Sequence, residues 1–158
     1  MSEQSPVCST FEAAIEKAIE MEDDGFRNYL KAIRMVKDQA AKKILKDAAL
    51  DELDHKTALE KALLDGSVDK AHNLDKPVPT MNLDYLVGKK ELSPGATGRD
   101  ALAFAIHLEK NAVQFYSDMA SACAGAPMAD IFSRIGNDET HHLQTLEDLY
   151  EKHFLPEG

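Results

Sequence analysis

The sequence has little of what would support a thiolate site, a membrane span or an irregular fold. It contains no tryptophan, two cysteines, 8 glycines and 6 prolines in 158 residues. No Cys-x-x-Cys pair occurs, which excludes thiolate-based zinc or iron sites and a disulfide framework, so we expect reduced thiols at Cys8 and Cys123. No apolar run approaches the roughly 20 residues that cross a bilayer, and residues 1–10 show no secretory signal. These absences predict a cytoplasmic protein without a membrane partner.

The charge balance is acidic. The chain carries 28 acidic and 18 basic residues, which gives a net charge of −10 and a pI near 5.0. Such a surface repels phosphate backbones, and no basic stripe occurs, so nucleic acid is not an expected partner. Long stretches are rich in alanine, leucine, glutamate, lysine, aspartate and methionine, a composition that favours helix. The length is that of one domain, which we place at residues 1–158.

Apolar residues recur at helical spacing in four segments. We predict helices over residues 10–36, 41–65, 99–123 and 128–153, after a loose lead-in at 1–9. Residues 66–98 are rich in proline and glycine and read as a crossover connection, with a short helix or turn at 83–87. So long a connection is explained if it joins two helices that run the same way. The predicted fold is therefore all-α, a four-helix bundle of two helical hairpins.

The second half of the chain repeats the first half without gaps. An offset of 87 residues aligns apolar positions such as Ala18 with Ala105 and Leu59 with Leu146. It also aligns two Glu-x-x-His motifs, in which glutamate and histidine share one helix face. The polar residues that occupy core positions of the apolar stripes, as repeat-related pairs, are Glu22 and Glu109, Glu52 and Glu139, and His55 and His142.

Buried carboxylates need compensation. Burying an unpaired carboxylate costs several kcal/mol or more, and neighbouring carboxylates repel one another. No lysine or arginine lies on the stripes beside these glutamates, whereas two divalent ions would balance all four. Carboxylate and imidazole donors suit iron or manganese, with zinc as a possible substitute. A metal-free helical interaction module is the alternative.

The paired motifs resemble the ferritin-like superfamily and, within it, the rubrerythrin family, over residues 10–153. The resemblance implies a di-iron site in which two glutamates bridge the ions and each ion also has its own glutamate and histidine. These residues are the bridging pair Glu52 and Glu139, then Glu22 with His55 and Glu109 with His142. It further implies that Tyr29 and Tyr116 donate hydrogen bonds to the carboxylates; plain core packing is the alternative for each.

Two departures from typical rubrerythrins stand out. The position of their second glutamate on the third helix is Ala112 here, which puts movement of iron on redox change in doubt. The appended rubredoxin module is absent, so electrons would come from a separate donor, rubredoxin-like or flavin-dependent. The histidines outside the motifs are treated as non-ligands: His72, His107, His141 and His153.

The resemblance implies an oxidoreductase that reduces hydrogen peroxide or O2, acting as a homodimer. A ferroxidase or iron-storage protein built on the same site is the alternative, and a manganese catalase is a variant of the first reading. The sequence does not distinguish these reactions.

Overall fold

The computed structural model describes residues 6–67 and 92–154, and every regular element in them is helical. The helices, in chain order, are α1 Pro6–Ser9, α2 Phe11–Met35, α3 Gln39–Asp65, α4 Gly98–Ala122 and α5 Ala129–Phe154. The four long helices confirm the all-α prediction, with bounds within two residues of those predicted. The loose lead-in is partly wrong, since its last residues form the short helix α1. The centre of the predicted crossover, including the short helix predicted at 83–87, lies outside the described residues.

Local sequence explains where the long helices begin and end. The side chains of Thr10 and Asp38 cap the first free N–H groups of α2 and α3. Thr97 and Asp100 form a reciprocal capping box at the start of α4. Gly66 ends α3 in a left-handed conformation, with φ of 74°, which favours glycine.

The four long helices form two antiparallel hairpins. The α2/α3 hairpin turns at residues 36–38, and the α4/α5 hairpin turns at residues 123–128. The hydroxyl of Tyr29, late in α2, donates to the carbonyl of Ala105, early in α4, so these two helices run in opposite directions. It follows that α3 and α4 run the same way, and the start of α4 at Gly98 lies against Ala40. A parallel pair of consecutive helices needs a connection that runs the length of the bundle.

The two ends of the bundle have separate cores. The disulfide end comprises α1, the starts of α2 and α5, and the ends of α3 and α4. Its core includes Ile15, Tyr116, Phe132 and Ile135. The alanine end comprises the end of α2 and the starts of α3 and α4, and alanine is its commonest buried residue. The candidate site lies between them.

Cys8 and Cys123 form a disulfide, so the prediction of two reduced thiols is wrong. Helix α1 folds back on the end of α4, which brings the two Cα atoms to 5.1 Å. The amide of Met128 donates to the carbonyl of Cys8 at 3.1 Å and fixes α1 against the α4/α5 turn. The cysteines are 115 positions apart in sequence, so no local pattern signals their contact.

Across the described residues, every helix is too short or too polar to cross a lipid bilayer.

Candidate metal centre

The four core-stripe glutamates meet in the interior of the bundle. Each comes from a different long helix, and their exposed fractions are 2% for Glu22, 6% for Glu52, 2% for Glu109 and 0% for Glu139. All four are therefore buried, and Glu139 is buried completely. Burial of four carboxylates in one place is unfavourable unless protons, hydrogen bonds or cations balance their charge.

His55 joins two of these glutamates. Its Nδ1 lies 3.2 Å from Glu139 Oε1 and 3.5 Å from Glu22 Oε2. Its Nε2 lies 2.8 Å from Oδ2 of Asp138, a residue that the sequence reasoning did not single out. A carboxylate on the outer nitrogen fixes the orientation of a metal-binding imidazole.

A second group of carboxylates lies beside the first. Ligand oxygens of Glu52, Glu109 and Glu139 lie within 4.8 Å of one another, and Glu139 also belongs to the group with Glu22 and His55. Burial raises the pKa of Glu52, and Glu22 and Glu109 lie close enough to raise it further. These positions suit the bridging roles that the family resemblance implies for Glu52 and Glu139, and those roles stay predictions.

His142 lies beside His55, with the ring centroids 4.2 Å apart and the planes tilted by 49°. A ring nitrogen of His142 lies within 4.8 Å of a ring nitrogen of His55 and of a carboxylate oxygen of Asp138. It also lines a small pocket of about 270 Å³ with Glu109 and Asp51. The predicted role of His142 and Glu109 as ligands of one ion is therefore supported by the pocket that they share. The group of ligand atoms that contains His142 is the one with His55 and Asp138.

Each of the two tyrosines donates a hydrogen bond to a glutamate of the other hairpin. Tyr29 on α2 donates to Glu109 Oε1 at 3.2 Å, and Tyr116 on α4 donates to Glu22 Oε1 at 2.9 Å. Burial, reinforced by the neighbouring carboxylates, raises the pKa of each phenol well above its usual range. The hydroxyls therefore stay protonated and act as donors.

Burial and neighbouring groups shift the pKa values of these carboxylates in opposite directions. It raises the pKa of Glu52 and of Glu139 well above the usual range, and the charges of their neighbours add to this shift. For Glu22, hydrogen bonds with Glu52 and His55 overcome the effect of burial and lower the pKa. For His55, burial lowers the pKa, but the nearby carboxylates of Asp138 and Glu139 outweigh it and raise the pKa overall. The group thus holds protons that a bound cation would displace.

Three carboxylate oxygens are buried without a hydrogen-bond partner among the described residues: Glu139 Oε1, Glu139 Oε2 and Glu109 Oε2. His55 Nδ1 lies 3.2 Å from Glu139 Oε1 without forming a hydrogen bond to it. Oxygens left bare in this way cost free energy unless a cation binds them. Four carboxylates and two imidazoles fit a pair of iron or manganese ions.

A family model described as Rubrerythrin matches residues 13–150 of the chain. The chain belongs to the rubrerythrin family. No curated protein and no solved structure matches it. As a rubrerythrin it is expected to be a di-metal protein of the oxidoreductase type, and its carboxylate and histidine clusters are those that would hold the metal ions.

The centre of this rubrerythrin opens to solvent through a cleft of about 510 Å³. Glu22, His55 and His142 line its inner part. The cleft carries four aspartates and one lysine: Asp51, Asp54, Asp65, Asp138 and Lys61. An acidic entrance of this kind attracts cations and repels anions.

Asp138 and Gly25 are the site residues that the sequence reasoning missed. An aspartate precedes the glutamate in both repeats, as Asp51-Glu52 and Asp138-Glu139, so the motif itself carried the signal for Asp138. Gly25 gave no such signal. A Cβ at Gly25 would lie 3.2 Å from the carboxyl carbon of Glu52, so glycine leaves the room that this carboxylate occupies.

Proposed function

We propose that this rubrerythrin is a di-iron oxidoreductase that reduces hydrogen peroxide or O2 with electrons from an external donor. The observation that carries the proposal is Glu139, which is fully buried, shared between two ligand groups and without a hydrogen-bond partner on either oxygen among residues 6–67 and 92–154. A carboxylate in this position suits a bridge between two cations.

The residues that would hold the ions are Glu22, Glu52, His55, Glu109, Glu139 and His142. A bound iron pair supplies two electrons and two Lewis-acid positions to a peroxide or dioxygen molecule. Tyr116 and Tyr29 keep the oxygens of Glu22 and Glu109 in fixed directions through their hydrogen bonds. The burial of all four glutamates excludes bulk water from the reacting atoms.

The remaining parts of the proposal are an external electron donor, rubredoxin-like or flavin-dependent, and a homodimeric state. The cytoplasmic location also stays a prediction. The Cys8–Cys123 disulfide removes the argument from reduced thiols, because disulfides persist mainly in oxidising compartments.

Peroxide-driven oxidation of the ferrous protein tests the reaction. The protein is loaded with Fe²⁺ under anaerobic conditions, mixed with hydrogen peroxide in a stopped-flow instrument and followed through the absorbance of the ferric product. We expect stoichiometric oxidation of two irons per chain, and repeated turnover once a chemical reductant is supplied. Oxidation no faster than that of free Fe²⁺ would contradict the proposal.

A ferroxidase, whose substrate is Fe²⁺ itself, is the second candidate, because the acidic cleft favours entry of cations. Such a protein oxidises more than two Fe²⁺ per chain with O2 and forms a large shell if it stores the mineral. Iron titration and size-exclusion chromatography separate it from a dimeric peroxide reductase. Metal analysis of the purified protein shows whether iron, manganese or zinc is retained, and absence of all three would favour the metal-free module.

A further inference from the structure

His55 belongs to two groups of metal-binding atoms at once. Its Nδ1 faces the buried glutamates, at 3.2 Å from Glu139 Oε1, and its Nε2 faces the cleft, at 2.8 Å from Asp138 Oδ2. His142 completes the group on the cleft side, where the ligand atoms of the three residues lie within 4.8 Å of one another. The imidazole ring of His55 therefore lies between the buried centre and the cleft.

The group on the cleft side has the chemistry of an open metal site. Two imidazoles and one carboxylate bind Fe²⁺, Co²⁺ or Zn²⁺ and leave coordination positions for water. The side chains of His55 and Asp138 are 16% and 25% exposed, whereas Glu139 is fully buried. An ion can therefore reach this group while it still holds part of its water shell.

The cleft supplies the electrostatic attraction. Its aspartates raise the local concentration of divalent cations. A hydrated ion that moved directly among the buried glutamates would lose all its waters in one step, at high cost. Exchange of some waters for imidazole and carboxylate at an intermediate position divides that cost.

We propose that His55, Asp138 and His142 form a third cation position at the floor of the cleft, which binds a divalent transition-metal ion from solvent and passes it to the buried glutamates. The proposal rests on the di-metal function proposed above. A neutral imidazole has one free lone pair, so His55 binds through Nε2 or through Nδ1 but not through both. The third position is therefore a staging position. On transfer the Nε2–metal bond breaks and an Nδ1–metal bond forms, while Nδ1 loses its proton to water and Nε2 gains one that it donates to Asp138.

The first test isolates the third position. The variant Glu52→Ala/Glu139→Ala lacks the two shared carboxylates of the buried centre, and removal of buried charges is compatible with folding. Titrated anaerobically with Co²⁺ in a calorimeter, it is expected to bind one ion per chain. Addition of Asp138→Asn or of His142→Ala should weaken this binding by at least about tenfold, whereas addition of Glu22→Ala, which removes a remaining buried carboxylate beside His55, should leave it within about twofold. Addition of Asp65→Asn instead removes a cleft charge outside the group and should leave the Co²⁺ affinity within about twofold of that of the parent variant.

The second test follows loading of the otherwise unchanged protein. Asp138→Asn should slow the filling of the two buried positions by Co²⁺ by about tenfold and leave the final occupancy at two ions. Asp65→Asn is again the control.

Two results would overturn the third position. One is a Glu52→Ala/Glu139→Ala variant that binds no Co²⁺ while the unchanged protein binds two ions. The other is an Asp138→Asn variant that loses a buried ion without slower loading, which would make Asp138 a positioning residue for His55 alone. If the unchanged protein binds no Co²⁺, the proposed di-metal function fails as well.

Discussion

The two ends of this bundle are related by the repeat but are stabilised in different ways. At the alanine end, the start of α4 lies against α3, with Gly98 beside Ala40, and the small residues there include Ala41 and Ala48. The repeat-related positions at the disulfide end are Met128, Ile135 and Phe11. Larger side chains fill that end, and the Cys8–Cys123 disulfide ties α1 to it. A duplicated helical pattern has therefore been completed by close packing at one end and by a cross-link at the other.

The difference extends to the metal centre. His55 has two buried glutamates and Asp138 around its ring. Its repeat partner His142 lies against His55 and shares a smaller pocket with Glu109 and Asp51. The two halves of a nearly symmetric ligand set thus differ in their access to solvent, because Glu22 and His55 line the larger cleft, Glu109 lines the smaller pocket and His142 lines both.

The largest effect is expected from the shared carboxylate. Glu139→Ala should remove both metal ions, because this residue belongs to both ligand groups, whereas Glu109→Ala should remove one. Iron per chain, measured by mass spectrometry after gel filtration, checks the difference. Glu147→Gln is the control, since Glu147 is a buried glutamate of α5 outside the centre. Retention of one ion by Glu139→Ala would contradict the bridging role.

Loss of the cross-link should come next. Cys8→Ala/Cys123→Ala opens a loop of 115 residues, and we expect a loss of roughly 2–4 kcal/mol in the free energy of unfolding. Urea denaturation of the variant beside the oxidised protein measures this loss, and reduction with a dithiol should reproduce it. Hydrogen exchange should rise in α1 and at the start of α5, with little change at the alanine end. Equal loosening of both ends would contradict the view that the disulfide stabilises one end.

Exchange of repeat-related residues sharpens the packing comparison. Ala41→Met introduces at a fully buried position of the alanine end the residue found at position 128, and overpacking should cost about 1–3 kcal/mol. At the disulfide end, Ile135→Ala leaves a cavity and should cost about 2–4 kcal/mol. Thermal unfolding of both metal-free variants gives the two values. A stabilising Ala41→Met would show that the alanine end is not closely packed there.

The tyrosines should produce the smallest effects. Tyr116→Phe removes the 2.9 Å hydrogen bond to Glu22, and Tyr29→Phe removes the 3.2 Å bond to Glu109. Each variant should lower the affinity for one of the two ions by about tenfold, because the carboxylate it oriented becomes free to turn. Competition of each variant with a chelator for Co²⁺ measures the affinity. Tyr150→Phe, at a buried tyrosine outside the centre, is the control.

Helix pattern and residue type predicted most of the fold and the content of the candidate site. The apolar stripes predicted the four long helices, and the glutamates on those stripes are buried in the structure. The predictions were weaker where residues of different helices meet. The disulfide was missed because Cys8 lay in a segment without a periodic pattern, and Asp138 was missed because its partner His55 is on another helix.

The helices, their caps, the repeat and the set of core carboxylates and histidines all follow from the amino-acid sequence. Helices and caps depend on residues within a few turns of one another, and the repeat depends on one constant offset. Three features came from the packing of helices against one another: the Cys8–Cys123 disulfide, the hydrogen bond from each tyrosine to a glutamate of the other hairpin, and a larger cleft that Glu22 lines and Glu109 does not. These contacts depend on how closely two helices approach. The side chains of both helices together set that distance, so the pattern of one helix does not predict it.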